Sequence, residues 1–344
     1  MTQVFLGTRR AKPGEFMMKR RQIGETDLEV SELGLGTATL AGIFRAVSDA
    51  DAAEITRRAL AAGINYVDTA PFYGHGLAEH RVGTGVRGQS DTVVSTKVGR
   101  LLKPGKVADP GAWADALPFQ VVYDCSYDGV MRSFEDSFQR LGRDTIEILY
   151  LHDIGDPDHG TDDPELFKEA MDGGYRAMDE LRRAGDVKAI GLGTNFSDVL
   201  SRALDHGDWD VSLLAGRYTL LEQAPLDDLF PKCEAHGCQI VMGGPFNSGV
   251  LAGGDTFNYA AIPQSIIEKV KKIKTVADEH KVPLGAAALA FCRAHPLVVS
   301  TIPGPREPDE ITQILEWWDH SIPQGFWSDL KSNDLLRADA PTGE

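Results

Sequence analysis

Four ionisable side chains stand where apolar, strand-like runs of the sequence end. Asp68, Lys97 and His152 each close such a run, and Tyr73 follows Asp68 by five residues. A tyrosine can act as a general acid or base, and a nearby lysine, carboxylate and histidine can adjust its proton affinity or orient a reacting oxygen. If the runs are parallel strands, their carboxyl ends meet at one edge of a sheet. The spacing therefore predicts proton-transfer chemistry at that edge.

Each of the four residues taken alone also has an ordinary structural explanation. Asp68 could cap a turn, Lys97 could be a solvated strand end, His152 a hydrogen-bonded histidine at the sheet rim, and Tyr73 a packing aromatic. Four groups of complementary type on neighbouring strands are harder to explain in this way. We therefore treat them together as candidate catalytic residues.

The elements that must position these residues form a repeated strand and helix pattern. The continuous apolar runs predict eight buried parallel strands, at 33–37, 64–68, 92–97, 146–152, 188–194, 211–215, 239–243 and 297–302. Helix-ending glycines precede four of the runs, at Gly63, Gly142, Gly185 and Gly237. Eight such units without a break in composition favour an α/β fold of the (β/α)8, or TIM, barrel type over a doubly wound sheet.

The segments outside the repeat complete this prediction. A hairpin over Arg21 to Glu32, with Gly24 at its centre, is expected to plug the barrel bottom, and the tail 322–336 to lie near the rim. Ser48, Asp128 and Asp163 are expected to begin helices. Residues 1–18 have no apolar stretch of a secretory signal. We expect them to be a flexible extension or a remnant of cloning, and 19–344 to be one barrel domain.

Composition restricts the classes of partner. The 344 residues carry a net charge of −16, which disfavours a nucleic-acid surface, and have no apolar run long enough for a membrane span. Four unevenly spaced cysteines indicate a reducing, cytoplasmic location. We expect a small-molecule substrate, no nucleic acid or membrane partner, and a monomer or small homo-oligomer.

Two short motifs could suggest other chemistry. GTGVRG at 83–88 matches the dinucleotide fingerprint, but it follows a helix-like stretch and precedes a strand, the reverse of the required order. CEAHGC at 233–238 could hold a metal, but no second ligand pair accompanies it. Both are better explained as helix ends, and we expect no metal site.

The sequence resembles the aldo-keto reductase family over residues 19–336. The resemblance rests on GINYVDTAPFYGHGLAEHRVG, on the lysine of VVSTKVGR, on the histidine of IEILYLHD and on IGLGTNF. The stretches YDCSYDGVMRSFEDSFQRLG and IPQGFWSDLKSNDLL are similar to the aldose dehydrogenase branch of that family. The resemblance implies a barrel enzyme that binds a nicotinamide cofactor.

The family resemblance also implies a role for each of the four residues. Tyr73 is the general acid/base, Lys97 lowers its pKa, Asp68 holds Lys97, and His152 orients the substrate oxygen. A phenol must lose about two to three pKa units to act as a base near neutrality. One ammonium at about 4 Å supplies about 4 kcal/mol at an effective dielectric of 20, which is sufficient.

The resemblance places the adenine end of the cofactor in the segment after the eighth strand. Gly304, Pro305 and Glu310 stand where NADP-dependent relatives carry lysine, serine and arginine. A carboxylate repels a 2′-phosphate and accepts a hydrogen bond from a free ribose hydroxyl, so we expect NAD rather than NADP. The alternative is that Glu310 only begins the last helix and Arg306 binds a phosphate.

Further cofactor positions follow from the resemblance. Asn195 is expected at the carboxamide and Ser248 at the pyrophosphate. The remaining positions are Gly36, Thr37, Thr194, Pro303 and Gln313. Ala215 and Gly243 replace a glutamine and a ring-stacking tyrosine of the family, so Tyr218 or Phe246 could supply the ring.

The implied activity follows from the cofactor. An NAD-dependent member is expected to oxidise, here the C1 hydroxyl of a cyclic aldose of the L-fucose type, giving a lactone. The alternatives are another alcohol, such as that of pyridoxal, and a cofactor-bound regulatory subunit with little turnover.

Overall fold

The computed structural model describes residues 18–107, 109–155 and 162–343. The expectations for the N-terminal extension concern residues that lie, apart from Met18, outside this part of the chain. Within it, every predicted strand is present, and the strands form one eight-stranded parallel sheet. In chain order they are β3 (Leu35–Gly36), β4 (Tyr66–Asp68), β5 (Val93–Val98), β8 (Ile148–His152), β9 (Ala189–Thr194), β10 (Val211–Ala215), β11 (Gln239–Gly243) and β14 (Val298–Ile302).

The sheet closes into a barrel between its first and last strands. Leu33 forms a parallel bridge with Thr301, the Gly34 amide donates to the Thr301 carbonyl at 2.9 Å, and the Gly36 amide donates to the Pro303 carbonyl at 3.0 Å. The (β/α)8 prediction is confirmed.

The predicted hairpin also forms. β1 (Arg20–Gln22) pairs antiparallel with β2 (Glu29–Ser31), and Ile23, Leu28 and Val30 pack with the inward-facing side chains of the barrel. The Gly24 amide donates to Oε1 of Gln239 at the start of β11, at 2.7 Å. The hairpin therefore covers the N-terminal end of the barrel, opposite the ends that carry the four candidate residues.

Helices surround the sheet between the strands. They are α1 (Asp49–Ala61), α2 (Leu77–Gly85), α3 (Tyr127–Leu141), α4 (Pro164–Glu169), α5 (Tyr175–Ala184), α6 (Ser197–Leu204), α7 (Leu229–His236), α8 (Gln264–Glu279), α9 (Leu284–Ala294), α10 (Pro308–Asp319) and α11 (Gln324–Ser332). A π-helical turn at Ala170–Gly174 joins α4 to α5. α11 belongs to the tail outside the repeat.

The helix boundaries confirm most of the capping predictions and correct one. Ser48 accepts a hydrogen bond from the Asp51 amide and Asp163 from the Glu165 amide. The start of α3 at Asp128 was wrong: Ser126 is the N-cap, because its hydroxyl accepts from the Gly129 amide at 3.1 Å. Asp128 instead occupies the first turn of the helix.

Two further hairpins lie in the connections between barrel units. β6 (Arg100–Pro104) pairs with β7 (Phe119–Tyr123), and β12 (Thr256–Phe257) pairs with β13 (Ala260–Ala261). Neither hairpin was predicted from the sequence. They follow β5 and β11, so they rise from the edge of the barrel at which the candidate residues lie.

The two short motifs are helix ends, as predicted. Gly83 and Gly85 belong to the last turns of α2, and a Cβ atom at Gly83 would come within 1.9 Å of the Leu141 carbonyl oxygen of α3. That position needs glycine for close helix packing rather than for a pyrophosphate. Cys233 lies in α7, and Cys238 immediately precedes β11.

Candidate active site

The structure brings Tyr73, Asp68, Lys97 and His152 together at the C-terminal end of the barrel. Lys97 Nζ donates to Asp68 Oδ2 at 2.7 Å and to the Thr69 carbonyl at 2.8 Å. The same Nζ atom lies 4.5 Å from the centroid of the Tyr73 ring. The Tyr73 and His152 rings are 5.8 Å apart and nearly perpendicular. The predicted cluster therefore exists as a spatial group.

Tyr73 is positioned by a short turn after β4. It begins a 3-10 segment, Tyr73–Gly76, in which Gly74 has φ of 59°. A Cβ atom there would come within 2.9 Å of Ala41, so glycine is required for the chain to turn against this neighbour. The Trp113 ring packs against Tyr73 with its centroid at 5.8 Å.

The surroundings of Tyr73 favour the protonated form of its phenol. Burial raises the pKa of the Tyr73 phenol well above its ordinary value, and the Asp68 and Asp153 carboxylates raise it further, while the Arg100 guanidinium opposes them. The phenol is therefore protonated at neutral pH and suited to donating a proton.

His152 is held neutral at the same rim. Burial lowers its pKa to about 3, against an opposing effect of Asp153. Its Nε2 lies 3.1 Å from Asp153 Oδ2, which also accepts a 2.7 Å hydrogen bond from Arg100. A neutral imidazole can donate one hydrogen bond and accept one, so His152 can orient an oxygen without adding charge.

Arg100 was not singled out from the sequence. Its side chain is only 1% exposed, and its guanidinium lies over the Phe72 ring, 4.2 Å from the ring centroid. An arginine three residues after Lys97 gives no signal of burial in the sequence, because arginine usually lies at the surface.

A cavity of about 410 Å³ extends from Tyr73 across the barrel end to α10. Eight of the predicted site residues line it: Gly36, Thr37, Asp68, Tyr73, Ser248, Gly304, Glu310 and Gln313. Its middle part is bordered by five glycines, Gly243, Gly244, Gly249, Gly253 and Gly254. Backbone without side chains permits the close approach that a pyrophosphate requires, so the cavity fits an extended dinucleotide.

The other predicted cofactor residues lie outside the lining of this cavity. Thr194 Oγ1 accepts from the Phe196 amide at 3.2 Å, and the Asn195 carbonyl accepts from Arg217 Nε at 2.7 Å. The Pro303 carbonyl accepts from the Gly36 amide. Of the two rings considered, Phe246 lines the cavity, whereas Tyr218 packs among Phe230, Phe291 and His295.

The far end of the cavity combines two opposite charges. The Arg306 amide donates to Glu310 Oε2 at 2.6 Å, and Arg306 Nε is buried without a hydrogen-bond partner among the described residues. A Cβ atom at Gly304 would come within 2.8 Å of Thr39 Oγ1. A lysine at this position would therefore require movement of Thr39.

Two exposed aromatic side chains border the mouth of the cavity and were also missed. Phe44 is 42% exposed and Tyr259 is 52% exposed, with ring centroids 6.4 Å apart. The Tyr259 amide donates to Ser248 Oγ at 2.9 Å, which ties the β12–β13 turn to the predicted pyrophosphate residue. Neither ring lies in a periodic stretch that sequence reasoning could use.

The structure defines a (β/α)8 barrel with a cluster of ionisable residues at its rim, and comparison with known proteins gives the family. The model of the aldo/keto reductase family matches residues 32–334. This chain belongs to the aldo/keto reductase family and is an NAD(P)-dependent oxidoreductase.

Individual relatives cover nearly all of the chain. Pyridoxal 4-dehydrogenase of Microbacterium luteolum is 43% identical over 336 residues, which are 92% of this chain and 98% of the relative. D-threo-aldose 1-dehydrogenase of a Pseudomonas species is 37% identical over 322 residues, 90% and 95% of the two chains. The holo form of aldo-keto reductase AKR11C1 from Bacillus halodurans superimposes with a TM-score of 0.72 at 26% identity, covering 94% of this chain and 98% of that one. The branch expected from the sequence is confirmed.

Proposed function

We propose that this protein uses NAD to oxidise the ring hydroxyl of a cyclic hemiacetal, giving a lactone. The observation that carries the proposal is the placement of Tyr73 beside Lys97 and His152 at one end of a cavity whose other end carries Glu310. Bound NAD⁺ would accept the hydride and bring a positive charge to the cavity. The chain's own residues must bind the substrate and take up its hydroxyl proton.

Tyr73 is the residue that we assign to this proton transfer. Its raised pKa makes it a donor in the reductive direction. In the oxidative direction Tyr73 must first release its own proton to solvent, before the substrate binds, and then accept the substrate's hydroxyl proton as the phenolate. A nearby positive charge stabilises that phenolate. Lys97, fixed by Asp68, places its ammonium 4.5 Å from the centroid of the Tyr73 ring, and the Arg100 guanidinium also lowers the pKa of this phenol. His152, which is neutral, directs the hydroxyl toward Tyr73.

Preference for NAD rests on Glu310. Its carboxylate borders the cavity and accepts a hydrogen bond from the Arg306 amide. The same carboxylate can accept a hydrogen bond from a free ribose hydroxyl, and its charge repels a phosphate. The orphaned Nε of Arg306 is the feature that favours the competing NADP assignment. We propose NAD because a carboxylate so close would oppose any phosphate bound by that arginine.

Both substrates considered from the sequence present the same reacting group. A cyclic aldose and the ring form of pyridoxal each carry a hemiacetal hydroxyl whose oxidation gives a lactone. The aldose assignment is supported by the 37% identical relative. Pyridoxal is favoured by the 43% identical relative and by two groups of aromatic side chains. Trp113 packs on Tyr73 and Phe72 packs on Trp113, while Phe44 and Tyr259 line the same cavity as Tyr73. Aromatic rings pack face to edge or offset on a flat heterocycle.

A substrate panel tests the proposal. Purified protein with NAD⁺ is assayed for NADH formation with pyridoxal, L-fucose, D-arabinose and L-galactose, and each assay is repeated with NADP⁺. Turnover of any one with NAD⁺ and formation of the lactone, identified by mass spectrometry, supports the proposal. Turnover only with NADP⁺ would refute the cofactor assignment, and cofactor binding without turnover of any hemiacetal would refute the reaction.

The state of the cysteines is relevant to the cellular compartment of the protein. All four are unpaired and buried, which supports the proposal of a reducing, cytoplasmic compartment. No helix in the described part of the chain is long and apolar enough to cross a membrane.

A further inference from the structure

A second layer of polar side chains lies inside the barrel directly beneath the rim residues. Tyr66 precedes Asp68 by two residues, Ser95 precedes Lys97 by two, and Tyr150 precedes His152 by two. Side chains two apart on a strand share a face, so each lower residue points into the barrel with the rim residue above it. The strands are adjacent, and Asp68 pairs with Ser95 while Lys97 pairs with Tyr150.

These residues form a continuous hydrogen-bonded chain that ends on Asp68. Tyr150 Oη lies 3.1 Å from Tyr66 Oη, and Tyr66 Oη lies 3.0 Å from Ser95 Oγ. Ser95 Oγ is 2.7 Å from Asp68 Oδ1, the oxygen that Lys97 does not occupy. The side chains of this hydrogen-bonded series are fully buried, so water does not compete for these hydrogen bonds; Tyr66, Ser95 and Tyr150 are all 0% exposed.

The direction of every hydrogen bond is fixed by the carboxylate at its end. An ionised carboxylate only accepts, so the Ser95 hydroxyl must donate to it. That leaves Ser95 Oγ able only to accept from Tyr66, and Tyr66 Oη able only to accept from Tyr150. Three O–H dipoles therefore point the same way, toward Asp68, and each polarises the next.

We infer that Tyr66, Ser95 and Tyr150 are positioning residues that hold Asp68 ionised and oriented, so that it can fix Lys97 beside Tyr73. The inference deepens the proposed function and rests on it for its kinetic consequence. A carboxylate removed from water requires donors to both oxygens. Lys97 serves one oxygen, and the chain of hydroxyls serves the other.

Burial raises the pKa of the Asp68 carboxyl, and the Lys97 charge and the Ser95 hydrogen bond oppose this rise. The ionisable groups around the carboxylate are Lys97, Tyr73, Tyr66 and Tyr150. Only Lys97 among them is cationic, so loss of the Ser95 donor leaves one stabilising partner. The chain of hydroxyls therefore stabilises the ionised form of Asp68 together with Lys97.

The kinetic test compares three variants that remove one hydroxyl each. Ser95→Ala is expected to lower kcat most, by about tenfold, because it removes the bond to the carboxylate itself. Tyr66→Phe should have a smaller effect and Tyr150→Phe the smallest, about twofold, with KM changed little in all three. Tyr218→Phe is the matched control, because this buried hydroxyl has no hydrogen-bond partner among the described residues. Equal kcat in all variants, or a larger loss in Tyr150→Phe than in Ser95→Ala, would overturn the inference.

A thermal test does not depend on turnover. The loss of Tm caused by Ser95→Ala is measured in the wild-type background and again in the Asp68→Asn background, with Tyr66→Phe as a second variant that preserves shape. The loss should be smaller in the Asp68→Asn background, because the hydroxyl then no longer serves a charged oxygen. An equal loss in both backgrounds means that the hydroxyls only pack, which would overturn the inference. If the Tm differences behave as expected but no hemiacetal is oxidised, the proposed function fails and the positioning network stands.

Discussion

Lys97 Nζ lies 2.7 Å from Oδ2 of Asp68, and the two side chains are only 1% and 3% exposed. A buried ion pair gains little over apolar packing, but removal of one partner leaves an uncompensated charge. The pair is therefore better explained by the position it gives the Lys97 ammonium, 4.5 Å from the Tyr73 ring centroid, than by stability. The stability and the activity of the Tyr73 end of the cavity should therefore both depend on Asp68 and Lys97.

Asp68→Asn should destabilise the fold substantially. The asparagine keeps the shape but leaves the Lys97 ammonium buried without a countercharge, at a cost of about 3–5 kcal/mol in the free energy of unfolding. Urea unfolding followed by circular dichroism measures this loss. Asp278→Asn is the matched control, because Asp278 forms an exposed pair with Lys274 at the same 2.7 Å distance; its loss should be below about 1 kcal/mol. Similar small losses in both variants would contradict the account.

Tyr73→Phe should abolish proton transfer without preventing cofactor binding. General acid–base catalysis contributes about 10² to 10⁴ in rate, so kcat should fall by at least about a hundredfold. The Kd for NADH, measured by fluorescence titration, should stay within about threefold of wild type, because the ring remains. Tyr127→Phe, which removes a hydroxyl that donates to the exposed Glu180, serves as control. Near-normal turnover in Tyr73→Phe would exclude it as the acid/base.

Glu310→Gln should weaken discrimination against NADP. The amide keeps an acceptor for the Arg306 amide and removes the charge that repels a 2′-phosphate, so the Kd for NADP⁺ should fall by roughly tenfold, equivalent to about 1.4 kcal/mol. Asp309→Asn, on the same first turn of α10 but 97% exposed, should leave both cofactor affinities unchanged. The contrary result is that wild type binds NADP⁺ as tightly as NAD⁺ and that Arg306→Ala weakens the binding of NADP⁺ alone. Arg306 would then be the phosphate ligand, and the NAD assignment would be wrong.

His152 should make stability depend on acid pH. Its pKa of about 3 in the folded state lies below the ordinary value of 6.5. Between these values the unfolded chain binds more protons, so stability from this residue rises with pH and is lost as pH falls below 6.5. In His152→Gln the free energy of unfolding should therefore change less between pH 7.5 and pH 4.5 than in wild type, by up to a few kcal/mol. An unchanged dependence would show that His152 is not held neutral by burial.

The barrel and the positions of the candidate catalytic residues could be predicted from sequence because both depend on local periodicity. Continuous apolar runs identified the strands, and their carboxyl ends identified Asp68, Lys97 and His152. The start of α3 was misjudged because Ser126 and Asp128 are both good capping residues and only the fold decides between them. The β6–β7 hairpin was missed because it lies in a connection whose shape depends on tertiary contacts.

The electrostatics were harder to predict than the positions. The Coulomb energy of Lys97 does not by itself give the pKa of Tyr73, because it omits the desolvation of the phenol and the nearby carboxylates, which both raise that pKa. The Tyr66, Ser95 and Tyr150 layer was visible as a spacing of two before each rim residue. The spacing does not show that these residues are hydrogen-bonded to one another, because tyrosine and serine also occur as ordinary residues of buried strands.

The most direct test of the central claim is the initial rate of NADH formation, followed at 340 nm, when purified protein is given NAD⁺ with pyridoxal or an aldose. The account predicts turnover of at least one of these substrates, with lactone as product and loss of the rate in Tyr73→Phe. Tight NADH binding with no turnover of any hemiacetal, or turnover that persists in Tyr73→Phe, would contradict it.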